Sequence, residues 1–333
     1  MKAKIKWNGK FAFYGNKVKD AIKDGVGSNA DINFVLLCAF RDAGIKAFPV
    51  LLSRRDMGRL PYSFPSLSKL NTFIIGILTN QGNSVYLDGS TNGANLNILN
   101  PTLLVDRARE YGAPAGREWV DLTGIGTNKV DVLIEASVEG EGLVKGKCSA
   151  AYRGQMAYDY AKGYYDAKDT ADYKEKKQAD LGGDIVQLEI KGLDSLSTGV
   201  QESLTFSKKV LTNDDYIYLP SMLFPHITKN PFTQSERLLP IEFSYPYQCR
   251  IICYWDIPEG FQVEELPEPV RIVLADNSCR CTYSISQKGD RINIVYQFVL
   301  DRILFSQMEY PDLKKIWETL CAKNTEQIVL KKI

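Results

Sequence analysis

Histidine is almost missing from this sequence, because its 333 residues include a single one, His226. An enzyme in which histidine activates a cysteine or serine nucleophile would have to use this residue. His226 lies in the segment Phe224-Pro225-His226-Ile227, where a turn or interface position is the simpler interpretation. The composition therefore argues against Cys–His and Ser–His catalysis before any motif is considered.

Net charge is also nearly absent, with 41 basic and 40 acidic residues giving +1. This balance offers no electrostatic reason to expect a nucleic-acid or acidic-membrane partner. No apolar run approaches the length of a membrane span, and residues 1–26 lack the apolar core of a signal peptide. As written, the chain is expected to be cytoplasmic, and no cofactor is expected.

The seven cysteines are too few to indicate a disulfide framework in a chain of this size. Cys249 and Cys253 are separated by an even number of positions, as are Cys279 and Cys281, so each pair should share one face of a strand. A zinc site would need a CxxC-like spacing or histidine partners, and neither is present. We expect isolated structural thiols and no metal, with Cys38 buried in a helix.

The stretch from Gly27 to Leu52 predicts a helix, a tight turn and a strand. Ser28 or Asn29 can cap the first free N–H groups of the helix. Gly44 is expected to end the helix in the left-handed conformation, before a strand over residues 45–52. The apolar spacing predicts a core-facing stripe of Ile32, Val35, Leu36, Ala39, Phe40 and Ala43.

Residues 70–78 and 84–88 predict two strands joined by a hairpin turn at 80–83. The loop that begins at Asp88 satisfies several positions of an EF-hand loop. Its twelfth position is Leu99, however, where a bidentate glutamate is required, so we reject calcium. Residues 100–125 are predicted to connect two domains, which is the natural number for this length.

From about residue 130 the pattern changes to short alternating strands at the intervals of a β-sandwich. A helical insertion is predicted over residues 155–181, broken near 168–170, where Asp169 can cap the second helix. Its tyrosines predict a packing face with solvated hydroxyl groups, and an aromatic platform for a ligand is the alternative. The main strands after the insertion are predicted at 185–190, 200–208, 216–219, 241–245, 250–255, 271–274, 280–286 and 291–299.

Four pieces in this order resemble the transglutaminase-like branch of the papain-like fold, as found in bacterial proteins where such a domain precedes β-sandwich modules of unknown function. In that family they read Gly-x-Cys-x-Asp, a segment containing Pro-Val-Leu-Leu-Ser, Phe-Asn-His and Leu-Asp. Here the pieces are residues 27–31, 43–55, 70–74 and 85–88. The resemblance implies an α+β chain. Residues 1–125 would form a partial papain-like, transglutaminase-like domain that lacks its N-terminal portion, and 126–333 an antiparallel β-sandwich with the helical insertion.

The resemblance also implies where a catalytic triad would lie. Asn29 falls at the position of the cysteine, Thr72 at that of the histidine and Asp88 at that of the aspartate. An amide cannot act as a thiolate, and a threonine hydroxyl cannot shuttle a proton near neutral pH. These positions are therefore expected to be vestigial, with Asn29 or its neighbour Ser28 retained as a helix cap.

Two functions remain open. The first is a non-catalytic module that binds or scaffolds a protein or peptide, with Ser28, Arg54, Arg55 and Tyr62 as candidates for lining its cleft. The second is a hydrolase or acyl transferase with a displaced active site, such as a serine or threonine centre. The incomplete first domain should expose an apolar face, which favours a homodimer or a second chain. Relatives of this kind are mostly exported, so an extracytoplasmic location is the alternative to the cytoplasm.

Overall fold

The computed structural model describes residues 4–15, 17–61, 66–91, 95–112, 118–139 and 142–333. The chain forms two compact units. The first comprises residues 1–127 with 153–158 and 193–199, and the second comprises 128–152, 159–192 and 200–333. Both contain helices and strands, so the α+β class is confirmed.

The first unit is built on one helix and a five-stranded antiparallel sheet of order β5-β4-β3-β6-β7. Helix α2 packs against β3 and β4. The elements are β1 (Lys6–Trp7), α1 (Val18–Asp24), β2 (Val26–Gly27), α2 (Asn29–Asp42), β3 (Ala47–Leu52), β4 (Thr72–Leu78), β5 (Ser84–Leu87), β6 (Ala108–Glu110) and β7 (Trp119–Val120).

The predicted order of helix, left-handed glycine and strand is confirmed, with Gly44 at φ 75°. The predicted apolar stripe is correct for four of its members, since Ile32 is buried, Val35 packs beside it, and Leu36 and Phe40 pack on the core around Ile75. It is wrong for Ala39 and Ala43, which are exposed. The segment predicted as a connector instead supplies β6 and β7, because β3 needs a partner on its second edge.

The second unit contains an eight-stranded sheet of order β10-β11-β9-β8-β15-β19-β18-β17 and a four-stranded sheet of order β12-β13-β21-β16. A two-stranded pairing of β14 with β20 is separate. The elements are β8 (Lys129–Glu139), β9 (Leu143–Arg153), α3 (Gln155–Tyr165), α4 (Thr170–Leu181), β10 (Asp184–Lys191), β11 (Val200–Lys209), β12 (Leu211–Thr212), β13 (Tyr216–Pro220), β14 (Ile241–Glu242), β15 (Tyr247–Asp256), β16 (Phe261–Glu265), β17 (Val270–Val273), β18 (Cys279–Lys288), β19 (Arg291–Leu300), β20 (Leu304–Phe305), α5 (Tyr310–Lys323) and β21 (Gln327–Lys332).

Most predicted strands are present, and so is the helical insertion, in which the Asp169 side chain accepts the backbone N–H of Asp172 at 2.9 Å. Two expectations need correction. The large sheet is not wholly antiparallel, because β15 pairs with β8 in parallel. Helix α5 was not predicted, although its buried residues recur at helical spacing: Tyr310, Leu313, Ile316, Trp317 and Leu320.

The core of the second unit is aromatic. Trp317 of α5 stacks on Phe243 with ring centres 5.5 Å apart and contacts Phe298 of β19 edge-on. Trp255 and Tyr283 are almost completely buried. None of the described helices is long and apolar enough to cross a membrane.

Candidate functional site

The candidate site lies in the first unit, at the N-terminus of α2. Ser28 caps this helix, since its hydroxyl accepts the backbone N–H of Asp31 at 3.2 Å. In return, the Asp31 carboxylate accepts the Ser28 backbone N–H at 3.0 Å and its hydroxyl at 2.6 Å. Of the two candidates for the cap, Ser28 and Asn29, the capping residue is therefore Ser28. Asn29 is the first residue of the helix itself.

Asn29 is completely buried and is hydrogen-bonded to Thr72. Its side-chain Nδ2 donates to the Thr72 hydroxyl at 2.5 Å, and its Oδ1 accepts the backbone N–H of Ala12 at 2.7 Å. Thr72 is the first residue of β4 and is likewise completely buried. The fold therefore brings the Asn29 and Thr72 side chains into direct contact.

Asp88, just after β5, is 1% exposed and sits in a separate part of the same network. Its carboxylate accepts the hydroxyls of Ser90 at 2.5 Å and Thr91 at 2.7 Å, and Nδ2 of Asn33 at 2.8 Å. Within the described part of the chain, no hydrogen bond joins Asp88 to Thr72. Asp88 is oriented by its own loop and by α2.

Sequence reasoning missed Asn33, which links these parts. Its Nδ2 also donates to the carbonyl of Phe73 at 3.0 Å, and its Oδ1 accepts the backbone N–H of Gly89 at 2.7 Å. Asn33 follows Asn29 by one helical turn, so both amides lie on the same face of α2. The sequence signal for this role was the asparagine four positions after Asn29, in a stretch that is otherwise mostly apolar.

The chemistry of this cluster is that of a closed polar core. The Asn29 amide is hydrogen-bonded to the Thr72 hydroxyl and the Asn33 amide to the Asp88 carboxylate, and all four side chains are almost completely buried. Amide and hydroxyl side chains do not take up protons near neutral pH. Among the residues that the structure describes, no three His, Cys, Asp or Glu side chains are placed to hold a metal ion.

The four cleft candidates have different surroundings. The Ser28 hydroxyl is used by the capping box. The Arg54 guanidinium lies 4.5 Å from the centre of the Phe11 ring and forms an ion pair with Asp56 at 3.2 Å. Arg55 begins a short 3₁₀ turn and is half-buried. Tyr62 lies outside the described residues.

His226 is half-buried and packs among aromatic side chains of the second unit. Its Nδ1 is hydrogen-bonded to the Tyr296 hydroxyl at 3.0 Å, and its ring is 5.1 Å from that of Phe298. Burial lowers the pKa of His226 to about 4, so the imidazole is neutral at pH 7. Its contacts are those of a core residue.

The cysteines follow the predicted pattern except for Cys38. Cys249 and Cys253 are buried on one face of β15, as are Cys279 and Cys281 on β18. Burial raises the pKa of Cys281 to about 12, which makes this thiol inert. Cys38 is exposed, contrary to expectation, because it lies two positions from Leu36 and from Phe40 and so faces away from the side of α2 that packs on the core.

The tyrosines of the insertion surround a buried acid, Glu202 of β11, whose side chain is 3% exposed. Tyr160 donates its hydroxyl to Glu202, Tyr173 contacts the same carboxylate at 3.4 Å, and Lys177 pairs with it at 2.8 Å. The rings of Tyr160, Tyr164 and Tyr173 pack on one another, whereas Tyr165 is 55% exposed. At Tyr160 and Tyr173 the hydroxyls are bound to a carboxylate and are not solvated.

We expect the two neighbouring residues at the start of α2 to differ in their contribution to stability. Ser28→Ala should lower the free energy of unfolding by about 1 kcal/mol, the usual cost of a lost cap. Asn29→Ala should cost about 2 kcal/mol, since it leaves the half-buried Ala12 N–H and the buried Thr72 hydroxyl without their partner. Urea unfolding of both variants measures the difference. Equal effects would contradict the separate roles of the two residues.

Comparisons with known proteins concern mainly the second unit and the fold. Residues 204–330 match DUF3858, a domain family of unknown function with a solved structure. The fold is similar to the crystal structure of a "putative protease" from Parabacteroides distasonis, with a TM-score of 0.56 and 12% identity. The match covers 99% of this chain and 49% of the other, so this chain spans about half the length of that protein. The search of curated proteins gives no match.

Proposed function

We propose that this chain is a non-catalytic, transglutaminase-like protein that acts as a binding or scaffolding module for a protein or peptide. One observation carries the proposal. At the positions where the resemblance places a cysteine and a histidine, Asn29 and Thr72 are buried, and Nδ2 of Asn29 donates a hydrogen bond to the Thr72 hydroxyl at 2.5 Å. A polar pair of this kind stabilises the fold and leaves no reactive group facing a substrate.

The physical requirements of thiol catalysis explain why this pair matters. A cysteine at a helix N-terminus is reactive because the helix dipole and a nearby imidazolium stabilise its thiolate. The Asn29 amide has no nucleophilic atom, and Thr72 cannot accept a proton from one. Asp88 keeps an orienting carboxylate, but its acceptor sites are occupied by Asn33, Ser90 and Thr91.

The similarity to a protein designated a protease supports only the fold at this level of identity. A displaced serine centre is the second candidate, favoured by the hydroxyl–carboxylate contact of Ser90 with Asp88 at 2.5 Å. Ser90 is only 4% exposed, which argues against access by a peptide. Hydrolysis of peptide or glutamine substrates that is abolished by Ser90→Ala would establish the second candidate and overturn the first.

A double substitution tests whether the site is closed. We expect the new thiol of the Asn29→Cys/Thr72→His variant to react with iodoacetamide at least tenfold more slowly than Cys38, because position 29 is completely buried whereas Cys38 is exposed. Peptide mapping by mass spectrometry separates the two thiols, and Asn29→Cys alone is the matched control. Faster alkylation of the double variant below neutral pH would indicate an open cleft of the catalytic type.

A further inference from the structure

The eight-stranded sheet of the second unit has a concave region on one face, with a volume of about 480 Å³. We call it the sheet groove. Its floor is made of small side chains on two neighbouring strands, where Ser203 of β11 is paired with Ser149 of β9 and Gln201 with Ala151. Longer side chains stand on either side, so the small residues leave a depression.

The two sides of the groove differ in character. Glu189 and Lys191 of β10 stand beside the floor on one side, opposite Ser203 and Gln201 in the register. On the other side, the apolar part is formed by Leu133 of β8 and its register partner on β15, Ile252. Leu133 is 40% exposed, so the groove presents apolar surface to solvent.

Most of the charged side chains that line the groove form an ion pair with a neighbour, and among the described side chains Arg250, whose register partner on β8 is Asp131, does not. Glu189 is paired with Lys191 at 2.8 Å, and Asp131 with Lys129 at 3.0 Å. Arg250 is exposed and, in the part of the chain that the structure describes, has no ion pair or side-chain hydrogen bond.

We propose that the sheet groove binds a small amphiphilic carboxylate. Its volume lies in the range of small-molecule sites, roughly 300–1,000 Å³. An aliphatic chain would cover Leu133 and Ile252, and the carboxylate would pair with the planar donor fork of Arg250, the geometry that guanidinium groups prefer. The proposal does not depend on the closed site around Asn29 and Thr72. The sheet groove lies in the second unit and that site lies in the first, so each is tested by its own variants.

Decanoate is the probe that tests this proposal, measured by titration calorimetry below its micelle-forming concentration. We expect decanoate to bind at least tenfold more tightly than decyltrimethylammonium, which has the same chain and the opposite charge. Arg250→Gln should weaken decanoate binding about tenfold and leave the cation unaffected. The matched control is Arg271→Gln, at an exposed position on β17 of the same sheet but outside the groove. It should change the binding of neither decanoate nor decyltrimethylammonium.

A second variant tests the location independently of charge. Ser203→Phe fills the floor of the groove with a residue that suits a strand, and it should abolish the binding of decanoate. Three results would overturn the proposal: no binding of decanoate, equal binding of the two probes, or binding that survives Ser203→Phe.

Discussion

Asn33→Asp is expected to lower the free energy of unfolding by about 4 kcal/mol at pH 7, the cost of breaking a buried polar network and leaving a charge uncompensated. In the native chain the Asn33 amide donates to Asp88 at 2.8 Å and to the Phe73 carbonyl at 3.0 Å. The substitution replaces this donor by an oxygen. Two carboxylates and a carbonyl then face one another where the surroundings are almost free of water.

Three measurements separate this electrostatic cost from a general loss of packing. Acidification supplies a proton that the two carboxylates can share, so the destabilisation should shrink as the pH falls. Combining Asn33→Asp with Asp88→Asn restores a donor to the pair and should recover part of the stability. Asn83→Asp, at an exposed hairpin position, should change stability by less than about 0.5 kcal/mol. A pH-independent loss that the second substitution does not relieve would contradict the assigned contact.

The second large effect is the acid sensitivity of the second unit. The pKa of His226 is about 4 in the folded protein, lowered by burial from its ordinary value of 6.5. Its contribution to stability is therefore fully present above pH 6.5 and is lost as the pH falls to about 4, because the unfolded chain binds the proton more readily. At 1.36 kcal/mol for each pH unit, the loss is about 3 kcal/mol.

His226→Gln isolates this contribution because glutamine can keep a hydrogen bond to Tyr296 and does not titrate. We expect the wild type to lose about 3 kcal/mol more stability than this variant between pH 7 and pH 4. Since His226 is the only histidine, its imidazole signals in an NMR titration can be assigned directly. An imidazole that titrates near pH 6.5 in the folded protein would show that His226 is solvated.

The sequence was most informative where local chemistry determines structure. Gly44 ends α2 because glycine adopts a positive φ without strain, and Asp169 begins α4 because its carboxylate satisfies a free N–H group. Both effects act over a few residues. The same holds for the alternating strands of the second unit, whose positions were predicted to within a few residues.

Prediction failed where distant residues decide the outcome. The Asn33 side chain points to Asp88 because β4 and β5 return beside α2, which no local pattern reveals. The exposed position of Cys38 depends on which face of its helix packs on the sheet. Helix α5 is a different case, since the helical spacing of its apolar residues is a local signal in the sequence.

The parallel pairing of β8 with β15 has a consequence for folding during synthesis. Lys129 pairs with Gln248, and β9, both helices of the insertion and β10 to β14 lie between them in the chain. Until the ribosome has made β15, the edge of β8 has no strand to complete it, and its buried residues Val130 and Ile134 remain without cover. During this interval of translation the nascent second unit therefore has an unpaired strand edge. Folding intermediates with unpaired edges are prone to aggregate and are typical substrates of chaperones.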